Sequence, residues 1–430
     1  MSLLSRFVTV KPQEITALFV SCLYFYLVLC AYYIIRPIRS EMAIANGVEN
    51  LQWLMLMAML ILFAIMPVFG WLTSRFKTRQ FLAISILFFA SHLVVFFFLF
   101  NVPERSIWVT RSFFVWVNVF NMFIVSLFWS FMNDVFSRAQ SKRLFAFIAA
   151  GGTAGALTGP LITNFLVESV GLASLLLISA TVLASSCVCV LFLSRWQNTD
   201  NNATSTNELT PTTVKNESLK GSIWGGVSLI VKSPYLIGIC LFIVLYAISI
   251  TFVGIQQAEM VEQAFNDATE RTQLFSKIDF AANGFTLLFQ LLLTSRLINT
   301  FGFRSTLMLI PVGITIGFGL MASAPVLAVV IGIEIFRRAG DYAIMKPTRE
   351  MLFSVVSREE KYKAKNFIDT AIVRTGDTSS AWLYTLFKSL GVAGAGIAGV
   401  SMVFGLAWCA TAFWLGSQFN KKTKNDIMST

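Results

Sequence analysis

The chain has 430 residues, of which 56% are hydrophobic and 13% charged, and its mean hydropathy is +0.72. Soluble domains carry about 25% charged residues, so this composition excludes a water-covered enzyme or regulator. The formal charge of +11 would suit a nucleic-acid binder, but the basic residues follow the loops of a membrane protein rather than one binding face, and no nucleic-acid partner is expected.

Apolar runs of roughly 20 residues, the length a helix needs to cross about 30 Å of hydrocarbon, predict spans over 16–37, 51–73, 80–100, 107–131, 145–168 and 171–194. The stretch 197–220 is rich in Asn, Thr and Ser and reads as a flexible linker. Six further spans are predicted over 235–256, 275–297, 304–324, 326–346, 366–390 and 393–417. The expected fold is all-α and integral to the membrane, with about twelve transmembrane helices. It divides into an amino-terminal bundle over 1–196, a linker over 197–233, and a carboxyl-terminal bundle with a short tail over 234–430. The alternating ten-residue segments of a membrane barrel do not occur.

Lys and Arg gather at Arg6 and Lys11, at Arg75, Lys77 and Arg79, at Arg138, Lys142 and Arg143, and from Arg195 to Lys232. They return at Arg296 and Arg304, from Lys346 to Lys365, and at Lys421, Lys422 and Lys424. The intervening loops are poor in bases, and one carries Glu259, Glu262, Asp267 and Glu270. The positive-inside rule then predicts both termini in the cytoplasm, and the expected location is a bacterial inner membrane. The first apolar run has no small-residue cleavage site and reads as a retained helix. Cys22, Cys30, Cys187, Cys189, Cys240 and Cys409 lie inside spans without metal-type spacing and read as packing residues, so no metal or cofactor is expected. His92, inside the third span, reads as a packed or hydrogen-bonded residue.

The segment 23–42 aligns without gaps to 241–260, and both end in Glu-Met. Thr73-Ser74-Arg75 recurs as Thr294-Ser295-Arg296, and Phe147-Ile148 as Phe367-Ile368, all at offsets of about 220 residues. Repeated halves are the usual plan of secondary transporters. The segment from Gly70 to Arg79, with Arg75 and Arg79 in place and Ser74 where an acid is usual, resembles the loop signature of the major facilitator superfamily. Gly151, Gly155 and Gly159 share one face of the fifth span, where they would let a neighbouring backbone approach closely. With Pro160 they resemble part of that superfamily's antiporter motif.

Ionisable residues at membrane depth cost at least about 2.5–3.5 kcal/mol on insertion scales, so they face a cavity or a partner. Here they cluster. The first span ends with Arg36 and Arg39, and the fourth carries Asn118 and Asn121. The tenth carries Glu334, Arg337, Arg338 and Asp341, and the eleventh Asp369, Arg374 and Asp377. Lys277 and Asp279 fall nearer the mouth of the eighth. Arginine offers five fixed donors and a permanent charge, which suits carboxylate or phosphate oxygens. The candidate substrate-binding set is therefore Arg36, Arg39, Asn118, Asn121, Arg337, Arg338, Asp341, Arg374 and Asp377, and the expected ligand is a small anionic solute. The competing reading makes them struts: Arg337 or Arg338 pairs with Asp341 or Glu334, Arg374 pairs with Asp377, and Arg36 and Arg39 snorkel to an interface.

The run from Asp341 through Lys346-Pro347-Thr348-Arg349-Glu350-Met351 resembles the Lys-Tyr-x-x-Phe-Asp-Pro-Thr-Lys-Glu-Met stretch of the ATP/ADP translocase family of intracellular bacteria and plastids. Lys363, Lys365, Ile368-Asp369 and Arg374-x-Gly376 follow the same family's pattern. So do Ile35-Arg36-Pro37-Ile38-Arg39, Phe128-Trp129 with Asn133, and Gln140 with Lys142-Arg143. The resemblance implies a facilitator-like fold, in which the first, fourth, seventh and tenth spans line the pathway, and it implies nucleotide exchange. It also implies a base at Arg39. The family's acid in the fourth span falls near Val117 or Asn118, its glutamate in the seventh on Gly254, and its Gly-Lys-Ser-Gly-Gly element reads Gly376-Asp377-Thr378-Ser379-Ser380.

With no Gly-x-x-x-x-Gly-Lys-Ser/Thr loop in the sequence, neither an enzyme nor a pump driven by ATP hydrolysis is expected. The reading is a monomeric secondary transporter in the lipid bilayer, moving an organic or phosphorylated anion such as ATP or ADP by alternating access. Two alternatives stay open: a proton-coupled facilitator for another solute, and a membrane scaffold that transports nothing.

Overall fold

The computed structural model describes residues 14–75, 78–104, 106–204, 223–292, 294–357, 360, 364–365 and 367–429. Arg6, Lys11, Lys77, Lys363 and residues 205–222 of the expected linker lie outside the described residues. Among the described residues the secondary structure is helical throughout. The helices are α1 (Ile15–Ala45), α2 (Leu51–Arg75), α3 (Thr78–Phe100), α4 (Ile107–Val135), α5 (Arg138–Thr204), α6 (Ile223–Lys232) and α7 (Pro234–Ala264). After them come α8 (Ala268–Leu292), α9 (Thr294–Ser323), α10 (Leu327–Gly340), α11 (Lys346–Leu352), α12 (Val373–Ser389) and α13 (Ala395–Ser429).

Among the described residues each predicted span falls mainly on helix. The fifth and sixth run together as α5, with a break at Gly171, where φ is 78° and ψ 165°. That backbone region is open to glycine at little cost, so the residue turns the chain without a capping motif. Gly302, at φ 76° and ψ 166°, does the same near the start of α9. Eight described helices are long and apolar enough to cross a membrane, one of them the 54-residue stretch Arg143–Trp196. The segments over 268–292, 327–352 and 368–389 are helical but carry the charged residues singled out above, so the count of about twelve rests on the sequence alone at those three places. Phe19, Phe165 and Leu291 remain 69%, 72% and 74% exposed. Apolar side chains turned outward in this number fit a lipid solvent, and the chain is a multi-pass membrane protein.

The helices pack as two units. The first comprises 1–46, 60–215 and 265–280, and the second 47–59, 216–264 and 281–430. The early turns of α8 thus belong to the first unit, and those of α2 to the second. Trp53 of α2 meets Trp382 of α12 edge to face at 4.8 Å, and Thr378 Oγ1 lies 3.3 Å from Met59 Sδ.

The first unit is organised on α1 and α5. A Cβ on Gly151 would strike the Cys22 carbonyl, and one on Gly155 the Tyr26 carbonyl. A Cβ on Gly159 would come within 2.8 Å of the Cys30 carbonyl. The glycine face is therefore a packing face, and it sets α1 close enough for Thr163 Oγ1 and Ser179 Oγ to donate to the Ile34 and Ala31 carbonyls at 2.9 and 2.8 Å. These hydroxyls flank the backbone that Pro37 interrupts. Phe25 stacks on Phe128 with centroids 4.1 Å apart. In the second unit the fully buried Trp408 of α13 packs on Phe242 and Tyr246 of α7.

Candidate functional site

In the first unit the carboxyl-terminal third of α1 carries Arg36 and Arg39 one turn apart. Arg39 Nη1 donates to Asn118 Oδ1 of α4 at 3.0 Å, and its guanidinium lies 5.5 Å from the Phe114 ring centroid. Asn118 Nδ2 donates back to the Phe114 carbonyl at 2.8 Å. This internal bond fixes the amide with its oxygen toward Arg39, so Asn118 orients the guanidinium without adding charge. Asn121, three residues on, is half-buried on α4. Arg36 Nη1 donates to Asp279 Oδ1 of α8 at 2.8 Å and lies over the Tyr33 ring. One turn beyond, Glu41 takes both Nε and Nη2 of Arg271, at 2.6 and 2.7 Å. Arg271 Nη1 also donates to the Phe265 carbonyl at 2.9 Å. Its helix starts at Asp267, whose carboxylate accepts from the amides of Thr269 and Glu270 at 2.9 and 3.1 Å. The bond from the Glu270 amide is the main cause that holds the Asp267 carboxyl below the usual aspartate range.

In the second unit, Arg337 of α10 grips Glu334, one turn earlier on its own helix, through Nη2 at 2.6 Å and Nε at 2.9 Å. Both residues are buried, as are Arg338 and Asp341. Tyr246 of α7 hydrogen-bonds Asp341, and Lys346 Nζ approaches the same carboxylate at 3.6 Å. Arg374 and Arg337 both act on Asp377 of α12 as opposite charges. The structure thus gathers Arg337, Arg338, Asp341, Arg374 and Asp377 in the second unit, on α10, α12 and the turn after α10. Arg36, Arg39, Asn118 and Asn121 are in the first.

Two wide π-helical turns interrupt this region, at Asp341–Met345 and Ile368–Ile372. The first precedes Pro347, which has no N–H to give the ladder, and Thr348 Oγ1 covers the Ile344 and Met345 carbonyls at 2.8 and 3.0 Å. Arg349 faces Asp369 at 3.5 Å, and Glu350 meets Lys365 at 2.8 Å. The Pro-Thr-Arg-Glu-Met motif is therefore a clasp between the two π-turns. Gln140 and Arg143 similarly converge on the buried carboxylate of Glu14, both at 3.1 Å.

His92 places Nδ1 2.8 Å from the Phe88 carbonyl. All six cysteines are free thiols in helices. A separate recess of about 500 Å³ in the second unit is lined by Val48, Glu49, Gln52, Glu259, Tyr384 and Lys388 among others. None of the predicted site residues lines it. There Glu259 accepts from Tyr384 and Lys388, each at 2.7 Å. Reading the sequence missed Asp279 and Arg271 as partners of α1, Tyr246 as partner of Asp341, and both π-turns.

The model of the TLC ATP/ADP transporter family matches residues 106–321 and 315–419. The chain belongs to this family. The matched stretch takes in α4, α10 and α12 with Asn118, Arg337, Asp341 and Arg374, while Arg36 and Arg39 lie before it. Among relatives, the ADP,ATP carrier protein 1 of Chlamydia muridarum is 23% identical over 310 residues, 64% of this chain and 58% of that protein. The plastidic ATP/ADP-transporter of Solanum tuberosum is 23% identical over 367 residues, 75% of this chain and 56% of that protein. The chain thus spans somewhat over half the length of the family relatives it matches.

Solved structures share the fold. A bacterial homologue of the iron transporter ferroportin, in an inward-facing state, aligns with a TM-score of 0.66 at 14% identity, over 97% of this chain and 100% of that one. A nucleoside transporter aligns at 0.60 and 12% identity, over 94% and 99%. The fold is facilitator-like.

Proposed function

We propose that this chain is a secondary transporter that exchanges phosphorylated anions, adenine nucleotides foremost, by alternating access. The observation that carries this reading is the family match across the greater part of the chain. The chemistry is in keeping with it. Arg39 is oriented by a neutral amide, and Arg36, Arg338 and Arg374 add further guanidinium groups suited to phosphate oxygens. In this reading Arg36, Arg39, Asn118 and Asn121 in the first unit, and Arg337, Arg338, Asp341, Arg374 and Asp377 in the second, bind the anion or hold the groups that do. The protein works as a monomer in a bacterial inner membrane, its two bundles joined by a cytoplasmic linker and both termini in the cytoplasm.

Proteoliposomes loaded with ADP should take up labelled ATP saturably, and empty liposomes should not. Uptake that ignores internal ADP but collapses with a protonophore would transfer the function to proton coupling, for which Asp341 and Asp377 are the carboxylates in place. Reporter tags at residues 1, 205 and 430 should all give cytoplasmic signals, and an external signal from 205 would contradict the topology.

A further inference from the structure

α1 holds two ion pairs to the early turns of α8, and they differ in kind. Glu41 and Arg271 form a two-point contact whose side chains are 1% and 13% exposed, and backbone carbonyls at Phe265 and Asn266 accept further bonds from the guanidinium. Arg36 meets Asp279 through Nη1 at 2.8 Å, and its side chain is 20% exposed. The two pairs sit eight residues apart on α8, about 12 Å along the axis. The first is held at several points, and the second leaves its arginine the more exposed. Arg36 is also the arginine of this pair that belongs to the anion-binding set.

We propose that Asp279 is a built-in stand-in for the transported anion: it neutralises Arg36 when no solute is bound, and the acidic group of the solute displaces it. This rests on the anion-exchange reading above. A guanidinium at membrane depth needs an anionic or strongly accepting partner in every state. Carboxylate and phosphate each present anionic oxygens that accept from a guanidinium, so they compete for one place on Arg36. Once displaced, the carboxylate of Asp279, 7% exposed in the paired state, is left desolvated without that counter-charge. The cost is relieved when the turns around Asp279 leave α1 and reach water. Solute binding is thereby linked to separation of α8 from α1 at this depth, while Glu41 and Arg271 hold the start of α8 in place. Asp279 is a positioning residue for Arg36, and it also sets a threshold: an anion too weakly charged to outcompete a carboxylate does not release α8.

The test uses the full-length protein in detergent and two probes, ATP and inorganic pyrophosphate, with affinity read from ligand-induced thermal stabilisation. Asp279→Asn should bind pyrophosphate on the order of tenfold more tightly than the unaltered protein, within the usual range of coupling between sites, although its own melting temperature falls. Asp279→Glu should keep the original affinity. Arg271→Gln should melt earlier with affinity unchanged. A merely structural Asp279 would lower the melting temperature without tightening binding, and an unchanged or weaker pyrophosphate affinity in Asp279→Asn overturns the proposal. Should that variant fail to fold, hydrogen exchange of the unaltered protein decides. Pyrophosphate should raise amide exchange over 275–283, around Asp279, and steady or lowered exchange there overturns the displacement. A protein that answers pyrophosphate in these ways but ignores ATP leaves the displacement standing and removes the nucleotide reading. Silence toward pyrophosphate in both the unaltered protein and Asp279→Asn overturns the displacement whatever ATP does.

Discussion

The first unit half-buries Arg36 and Arg39 and the second buries Arg337 and Arg338, and the two units partner them differently. Arg337 is matched by Glu334, one turn away on the same helix, so its charge is satisfied before α10 meets any neighbour. Arg36 and Arg39 find partners on α8 and α4, 243 and 79 positions away. A locally closed pair behaves as part of the helix. A pair assembled from distant elements changes whenever those elements move, and that is the property a binding or gating group requires. In the proposed reading the same residue type acts as a strut at Arg337 and as a recognition group at Arg36 and Arg39.

The largest expected effect would break the strut. Glu334→Gln leaves Arg337 buried without its carboxylate and should cost about 3–5 kcal/mol of stability, read as a large fall in melting temperature in detergent. The double variant Glu334→Gln with Arg337→Met should recover much of that loss, and a double variant as unstable as the single one would contradict a locally closed pair.

Next comes the scaffold beneath the recognition group. Gly155→Val drives a branched side chain into the Tyr26 carbonyl and should destabilise the first unit by about 1–3 kcal/mol or more through overpacking. Loss of ATP binding in proportion to the loss of folded protein would show that α5 fixes where Arg36 and Arg39 stand. Asn118→Leu removes only the amide that aims Arg39. It should weaken anion affinity about tenfold, one charged hydrogen bond, with the melting temperature changed by a few degrees at most.

Smallest is the helix cap at the start of α8. Asp267→Ala should cost about 1 kcal/mol. Because the folded-state pKa of Asp267 is depressed, its contribution is present above the unfolded aspartate value and is lost as pH falls through the folded one. The difference in melting temperature between the unaltered protein and Asp267→Ala should therefore shrink on acidification below about pH 4. A difference that grows there would contradict the capping role.

The degree to which these features were legible in the sequence follows from their range. Spans, glycine face and the Glu334–Arg337 spacing depend on residues three or four apart, and helical periodicity exposes them directly. Pro347 was legible only as part of the Pro-Thr-Arg-Glu-Met motif, and nothing local shows the π-turn at Asp341–Met345 before it. Asp279 stood in plain view inside the eighth predicted span, yet no local pattern ties it to Arg36. Its pairing exists only because α8 begins against α1, a matter of tertiary packing. α10 and α12, of 14 and 17 residues, are cut short by the π-turns beside them, whereas α8 carries Glu270, Arg271, Lys277 and Asp279 within its 25 residues.

The most direct test sets Arg39→Gln beside Arg337→Gln and measures, for each, the melting temperature and the ATP affinity of the full-length protein. Arg39→Gln should lose roughly ten- to a hundredfold in affinity while melting near the unaltered protein. Arg337→Gln should melt far earlier, with any folded fraction still binding ATP. The reverse pattern, or a large fall in melting temperature with unchanged affinity at both positions, would contradict the division into recognition group and strut.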